Sequence, residues 1–127
     1  MEQTLETRGI YVNLPWWLPF GSVPEISASE LHERVKRGGA QLIDVRTPVE
    51  FAAGHVQGAC NIPIYEFKQA LPALKLDPHR PIVAICATAH RSPPAVRLLR
   101  AAGYENAVQL KGGMLSWNAV RLPTQKN

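Results

Sequence analysis

Cysteine is scarce in this chain: of 127 residues only Cys60 and Cys86 are cysteines. Two thiols are too few and too far apart in sequence to read as a disulfide framework or a zinc site. They suit a reducing compartment, where a free thiol can do chemistry. The four histidines, His32, His55, His79 and His90, lack metal-ligand spacing. Charge of one sign is not concentrated either. The net charge is +4, with Lys and Arg spread along the chain, which argues against a nucleic-acid surface and agrees with small anionic substrates. Arg97 and Arg100 share a helix face, the pattern of a solvated side. The aromatic run from Leu14 to Phe20 is interrupted by Pro15 and Pro19 and falls short of the roughly 20 residues that span a bilayer. Glu2 and Glu6 precede it and no clear small-residue cleavage site follows, so it does not read as a secretory signal. The mature protein is expected to start at or near Met1, in the cytoplasm. Repeats and low-complexity tracts are also missing.

What is present is an alternation of strand-like and helix-like segments, which predicts an α/β domain with a mainly parallel sheet. Residues 1–24 read as an extension, because Pro15, Pro19 and Pro24 forbid a regular helix. The domain is expected over 25–122, with 123–127 as a tail. Ser27 or Ser29 can cap a helix over about 29–37 that Gly38 and Gly39 terminate. A buried strand at 41–45 leads through the cap Thr47 and Pro48 into a short helix ended by Gly54. A brief strand at 60–62 and a helix over about 65–74 follow. The continuous apolar run Ile82 to Ile85 suits a central strand covered on both faces. Ser92, Pro93 and Pro94 open a helix with an apolar face that Gly103 stops, and 107–110 is the last strand. Gly112 and Gly113 lead into a terminal helix carrying Trp117.

The stretch from Cys86 to Ser92 leaves the end of the central strand and enters a helix N-terminus. In open α/β sheets ligands bind at that edge. Backbone N–H groups and the helix dipole there favour anions. A cysteine at such a position is expected to have its thiolate favoured, and Arg91 adds a planar donor that stays charged. A cysteine ending a buried strand is also commonly an inert core thiol, and it is the polar, helix-starting neighbours Arg91, Ser92 and Pro93 that tilt the reading toward chemistry.

Three segments in order resemble the rhodanese-like sulfurtransferases, over about residues 25–122. Leu42 to Phe51, continued by Gly54 to Pro63, is similar to the family's N-terminal signature. Cys86 to Ser92 is similar to its active-site loop, and Lys111 to Trp117 to its C-terminal signature. The resemblance implies an α/β fold with a mainly parallel central sheet of about five strands and helices on both faces. It also implies a mechanism: Cys86 takes sulfur from thiosulfate or another small anionic donor, becomes a persulfide, and passes the sulfur to cyanide, a thiol or a protein acceptor. The loop residues Ala87, Thr88, Ala89, His90, Arg91 and Ser92 would hold donor and persulfide, with no metal or bound cofactor. Four residues separate Cys86 from Arg91, whereas tyrosine-phosphatase-type loops place five there to fit tetrahedral phosphate. The shorter loop matches the sulfurtransferases. The alternative within the family is an interaction or sulfur-sensing module with little turnover. Retention of both Cys86 and Arg91 favours the enzyme.

Ala89 stands where the family often has Gly, and a position requiring positive φ would strain an alanine. His90 is read as an exposed loop residue, with a charge favouring the thiolate as the alternative. Thr88 offers a hydroxyl to the persulfide. Asp44 and Arg46 lie near a strand end on the crevice side, where either could touch substrate; the resemblance instead implies a structural ion pair, with Arg46 reaching Glu50 or Asp44. His55 is expected to fix the turn before the third strand. Cys60 is read as a small buried hydrophobe, with a resolving thiol as the alternative. Trp117 is expected to pack under the terminal helix. Trp16 and Trp17 are expected to pack back on the domain, and the rival reading is a docking site for a partner, a second subunit or a membrane surface.

Overall fold

The computed structural model describes residues 15–18 and 22–126. The order of elements is β1 (Glu25–Ile26), α1 (Ala28–Lys36), β2 (Gln41–Asp44), α2 (Pro48–Ala53), β3 (Cys60–Asn61), α3 (Ile64–Ala70), a 3₁₀ turn (Leu71–Ala73), β4 (Ile82–Ile85), α4 (Ser92–Ala101), β5 (Ala107–Leu110) and α5 (Gly113–Ala119). The strands form one sheet in the order β1-β5-β4-β2-β3, with every pairing parallel.

Local chemistry starts and stops these elements much as the sequence implies. Ser27 caps α1 by accepting the Glu30 N–H. Gly38, at φ 67°, ends it, with its N–H on the Val35 carbonyl and that of Gly39 on Arg34. Thr47 and Glu50 form a reciprocal capping box at α2. The helix expected over 65–74 is instead α3 followed by a 3₁₀ turn. Pro72 cannot donate the bond that would continue the α-helix. The strand expected at 60–62 is two residues long. β1, for which no strand was expected, is also two residues long, too short to carry periodicity.

β4 shows why its residues are uniformly apolar. Ile82, Ala84 and then Cys86 face a core built with Phe67 of α3 and Ala95, Val96 and Leu99 of α4. Val83 and Ile85 face a second core with Leu31 of α1 and Met114 and Trp117 of α5. A strand between two helical layers has no polar face to show.

Two expectations fail here. Arg97 and Arg100 do not form a solvated face. Arg97 is buried and donates to the Leu18 carbonyl, while Arg100 Nε donates to the Ala107 carbonyl at 3.0 Å. A charge repeat at helical spacing gives their shared face but not what covers it. Cys60 is not buried. It is exposed on β3, an edge strand of the sheet among the described residues. Of the residues expected as an extension, 1–14 and 19–21 lie outside the described ones. Val23 already belongs to the core. The chain after 122 folds back: Gln125 pairs with His55 and the Pro123 carbonyl accepts from Trp117 Nε1.

Candidate active site

All five strands run parallel, so the helices after β2, β3, β4 and β5 begin at one edge of the sheet. Cys86 sits there, directly after β4. Its carbonyl accepts the Met114 N–H at 2.8 Å, and that of Ala87 accepts the Leu115 N–H at 3.0 Å. The otherwise unpaired first N–H groups of α5 are thereby spent on holding the loop. Gly113 makes the approach possible. A Cβ there would lie 2.4 Å from the Cys86 carbonyl oxygen, and its φ is +61°. The paired glycines of the C-terminal motif therefore serve the loop as well as the helix.

The loop brings one donor and one hydroxyl oxygen to sulfur. The Arg91 N–H donates to Cys86 Sγ at 3.4 Å, and Ser92 Oγ lies 3.5 Å from it. Ser92 is buried and its hydroxyl donates to Gln109 Oε1 at 2.6 Å. Gln109 Nε2 in turn donates to Glu25 Oε2 at 2.9 Å. Pro93 and Pro94 occupy the first turn of α4 and bring no N–H, so the anion-attracting groups here are concentrated at Arg91 and Ser92.

The Arg91 guanidinium does not lie open to the loop. Its Nη1 and Nη2 donate to Oε1 and Oε2 of Glu50 at 2.7 and 2.9 Å. Glu50 Oε1 also accepts the Thr47 N–H and hydroxyl. The Arg91 hydrogen bonds, with help from Thr47, pull the Glu50 carboxyl down to about 2 against the opposing effect of burial. Glu50 in return raises the Arg91 pKa. Arg46 is paired separately, at 2.7 Å from the fully buried Asp44, and also donates to the Gly54 carbonyl. Of the two carboxylates within reach of Arg46 in sequence, Asp44 is its partner and Glu50 belongs to Arg91.

Ala89 has φ 67° and packs against the core that contains Cys86. Thr88 Oγ1 and His90 Nδ1 lie 2.7 Å apart on the exposed side of the loop, engaged with each other. Cys86 itself exposes no surface. His55 is buried, donates its Nδ1–H to the Phe51 carbonyl at 2.8 Å, and stacks on Phe51. It thereby ties α2 to the turn before β3. Cys60 lies on β3, two strands from β4. At about 4.8 Å per strand that offset exceeds the roughly 7 Å limit for a disulfide.

Trp16 is half-buried, with the Lys68 ammonium 5.2 Å from its ring centre, while Trp17 is 60% exposed. No helix among the described residues is long and apolar enough to cross a membrane.

What reasoning on the sequence alone missed is the pair Glu25 and Gln109. The signal was a polar residue, Gln109, inside a strand whose other residues are all apolar.

The sequence model of the Rhodanese-like domain matches residues 27–120. The chain is 43% identical over 103 residues to an HTH-type transcriptional regulator of Mycobacterium tuberculosis, covering 80% of this chain and 44% of the regulator. It is 30% identical over 93 residues to the thiosulfate sulfurtransferase GlpE of Pseudomonas aeruginosa, covering 73% of this chain and 83% of GlpE. A solved human single-domain sulfurtransferase, TSTD1, superposes with a TM-score of 0.68 at 32% identity, covering 76% of this chain and 96% of that one. The chain spans about half the length of several curated relatives it matches.

Proposed function

Because this chain belongs to the rhodanese-like domain family, we propose that it is a cytoplasmic sulfurtransferase that carries sulfane sulfur as a persulfide on Cys86. The observation that carries the reading is the position of Cys86. It ends the central strand at the ligand-binding edge, with the Arg91 N–H directed at its sulfur.

In the proposed reaction the Cys86 thiol first gives its proton to solvent. The thiolate attacks the outer sulfur of thiosulfate, an S–S bond to Cys86 forms, the bond between the two thiosulfate sulfurs breaks, and sulfite leaves with that electron pair. The acceptor then attacks the outer sulfur of the persulfide. With cyanide this forms thiocyanate and returns the Cys86 thiolate. This is covalent catalysis in two displacements. The exposed Thr88 and His90 stand where a donor would arrive. Because Cys86 is covered, the side chains above it must part before either displacement. A protein acceptor or a second subunit would make contact through the exposed Trp17 ring.

The buried state of Cys86 favours a second reading, a sulfur-sensing or interaction module with slow turnover. Intact mass separates the two. After thiosulfate the enzyme gains one sulfur, cyanide removes it, and Cys86→Ser prevents the gain. A free, alkylatable Cys86 that gains no sulfur from thiosulfate would reject thiosulfate as the donor and favour the module.

A further inference from the structure

Beneath the loop a line of hydrogen bonds runs from the edge of the sheet to the sulfur. Its direction can be deduced one group at a time. Glu25 as a carboxylate can only accept, so the Gln109 atom 2.9 Å from it must be the amide NH₂. The Gln109 carbonyl oxygen therefore faces Ser92 Oγ at 2.6 Å. Between a carbonyl and a hydroxyl only the hydroxyl can donate, and Ser92 has a single proton. That proton is committed to Gln109, so Ser92 turns a lone pair toward Cys86 Sγ, 3.5 Å away.

The consequence is electrostatic. A Cys86 thiol can donate its S–H to that lone pair. A thiolate or a persulfide anion meets the same lone pair as a repulsion and keeps the Arg91 N–H as its donor in this pair. We propose that Glu25 and Gln109 are positioning residues of the sulfur-transfer site: by fixing which way the Ser92 hydroxyl points, they set how readily Cys86 ionises. The register of the sheet builds the device. Gln109 on β5 is paired with Glu25 on one side and with Ala84 of β4 on the other. It thus stands between the solvent-facing edge and the strand that carries Cys86. Glu25 is exposed on an edge strand two residues long, so a group that takes up its carboxylate frees the Gln109 amide to turn over. The amide NH₂ then donates to Ser92, and the Ser92 proton becomes available to sulfur. The thiol state is favoured while Glu25 holds Gln109, and the anion is favoured once it lets go.

This inference rests on Cys86 being the sulfur carrier, but its test reads ionisation and not transfer, so either can fail alone. The pH midpoint of Cys86 ionisation is followed by ultraviolet thiolate absorbance in a Cys60→Ser background, which leaves one thiol. The titratable and charged groups on the elements around the loop are Asp44 and Arg46 at the end of β2, Glu50 on α2, Arg91 and His90 in the loop itself, Lys111 following β5 and Glu25 on β1. Gln109→Leu leaves all of them in place. It removes the acceptor that holds the Ser92 proton and should lower the midpoint by about one pH unit, a tenfold gain in thiolate fraction below the midpoint. In a Ser92→Ala background the same substitution should move nothing. Glu25→Gln, at an exposed site that tolerates the change, permits either amide orientation. It should shift the midpoint in the same direction by a smaller amount, and it carries the test where Gln109→Leu does not fold. An unmoved midpoint in either folded variant, or a shift that survives Ser92→Ala, would overturn the proposal.

Discussion

Arg91 and Glu50 meet as a fork on a carboxylate, with both guanidinium nitrogens within 2.9 Å of separate oxygens. The pair joins the last residue of the Cys86 loop to the first turn of α2, so the capping box of one helix anchors the loop leading into another. Arg91 thereby shapes the loop through its side chain while it serves the sulfur through its backbone N–H.

The pairing has a pH signature. Glu50 falls from an ordinary 4.5 to about 2 on folding. A depressed carboxyl adds stability that is complete above its unfolded pKa and is lost as pH falls through the folded one. The pair is one-third exposed and therefore screened, so Glu50→Gln should cost about 1 kcal/mol at neutral pH. The difference from the parent should shrink between about pH 5 and pH 2, as measured by urea unfolding across that range.

Ala89 occupies the left-handed region at φ 67°. An L-residue there costs roughly 1–2 kcal/mol, against about 0.5–1 kcal/mol for the extra unfolded-state freedom of glycine. Ala89→Gly should therefore raise the unfolding free energy by about 0.5 kcal/mol. A denaturant midpoint that falls would show that the methyl packing against the core outweighs the strain.

Gly113 allows α5 to touch the loop at the Cys86 carbonyl. Gly113→Ala forces that backbone apart and should lower sulfur transfer by about tenfold or more, in line with the sensitivity of catalytic geometry to small displacements. It should also lower Tm. Transfer at the parental rate would mean that the loop holds its shape without α5.

Asp44 and Arg46 are buried together. Asp44→Ala leaves an unpaired guanidinium inside and should cost about 3–5 kcal/mol, seen as a large drop in Tm. This is a structural pair, so the effect should appear in stability before any change in the transfer rate of the protein that remains folded.

The two cysteines should behave oppositely. Cys86→Ser is expected to abolish transfer. Cys60→Ser, at an exposed edge position beyond disulfide reach of Cys86, is expected to leave it largely intact. Equal loss in both, with folding preserved, would give Cys60 a part in the chemistry.

Much of this was decided locally and was legible in the sequence. Ser27, Thr47 and Gly38 mark helix ends through bonds spanning three to five residues, and the Cys86 to Arg91 spacing is a property of one loop. The apolar run of β4 announces a strand covered on both faces because each of its alternating sides must be buried. The rest depends on contacts between residues distant in the chain, which composition and spacing do not encode. Only the tertiary structure gave Glu50 to Arg91 across 41 positions, and so decided that Arg46 keeps its sequence neighbour Asp44, one of the two partners the sequence offered. It placed Cys60 on an exposed edge, buried Arg97, and added a two-residue strand whose Glu25 reaches Gln109 across 84 positions. The sequence by itself determined the elements and the loop that carries the thiol; which groups surround that thiol was settled when the parallel strands set those elements side by side.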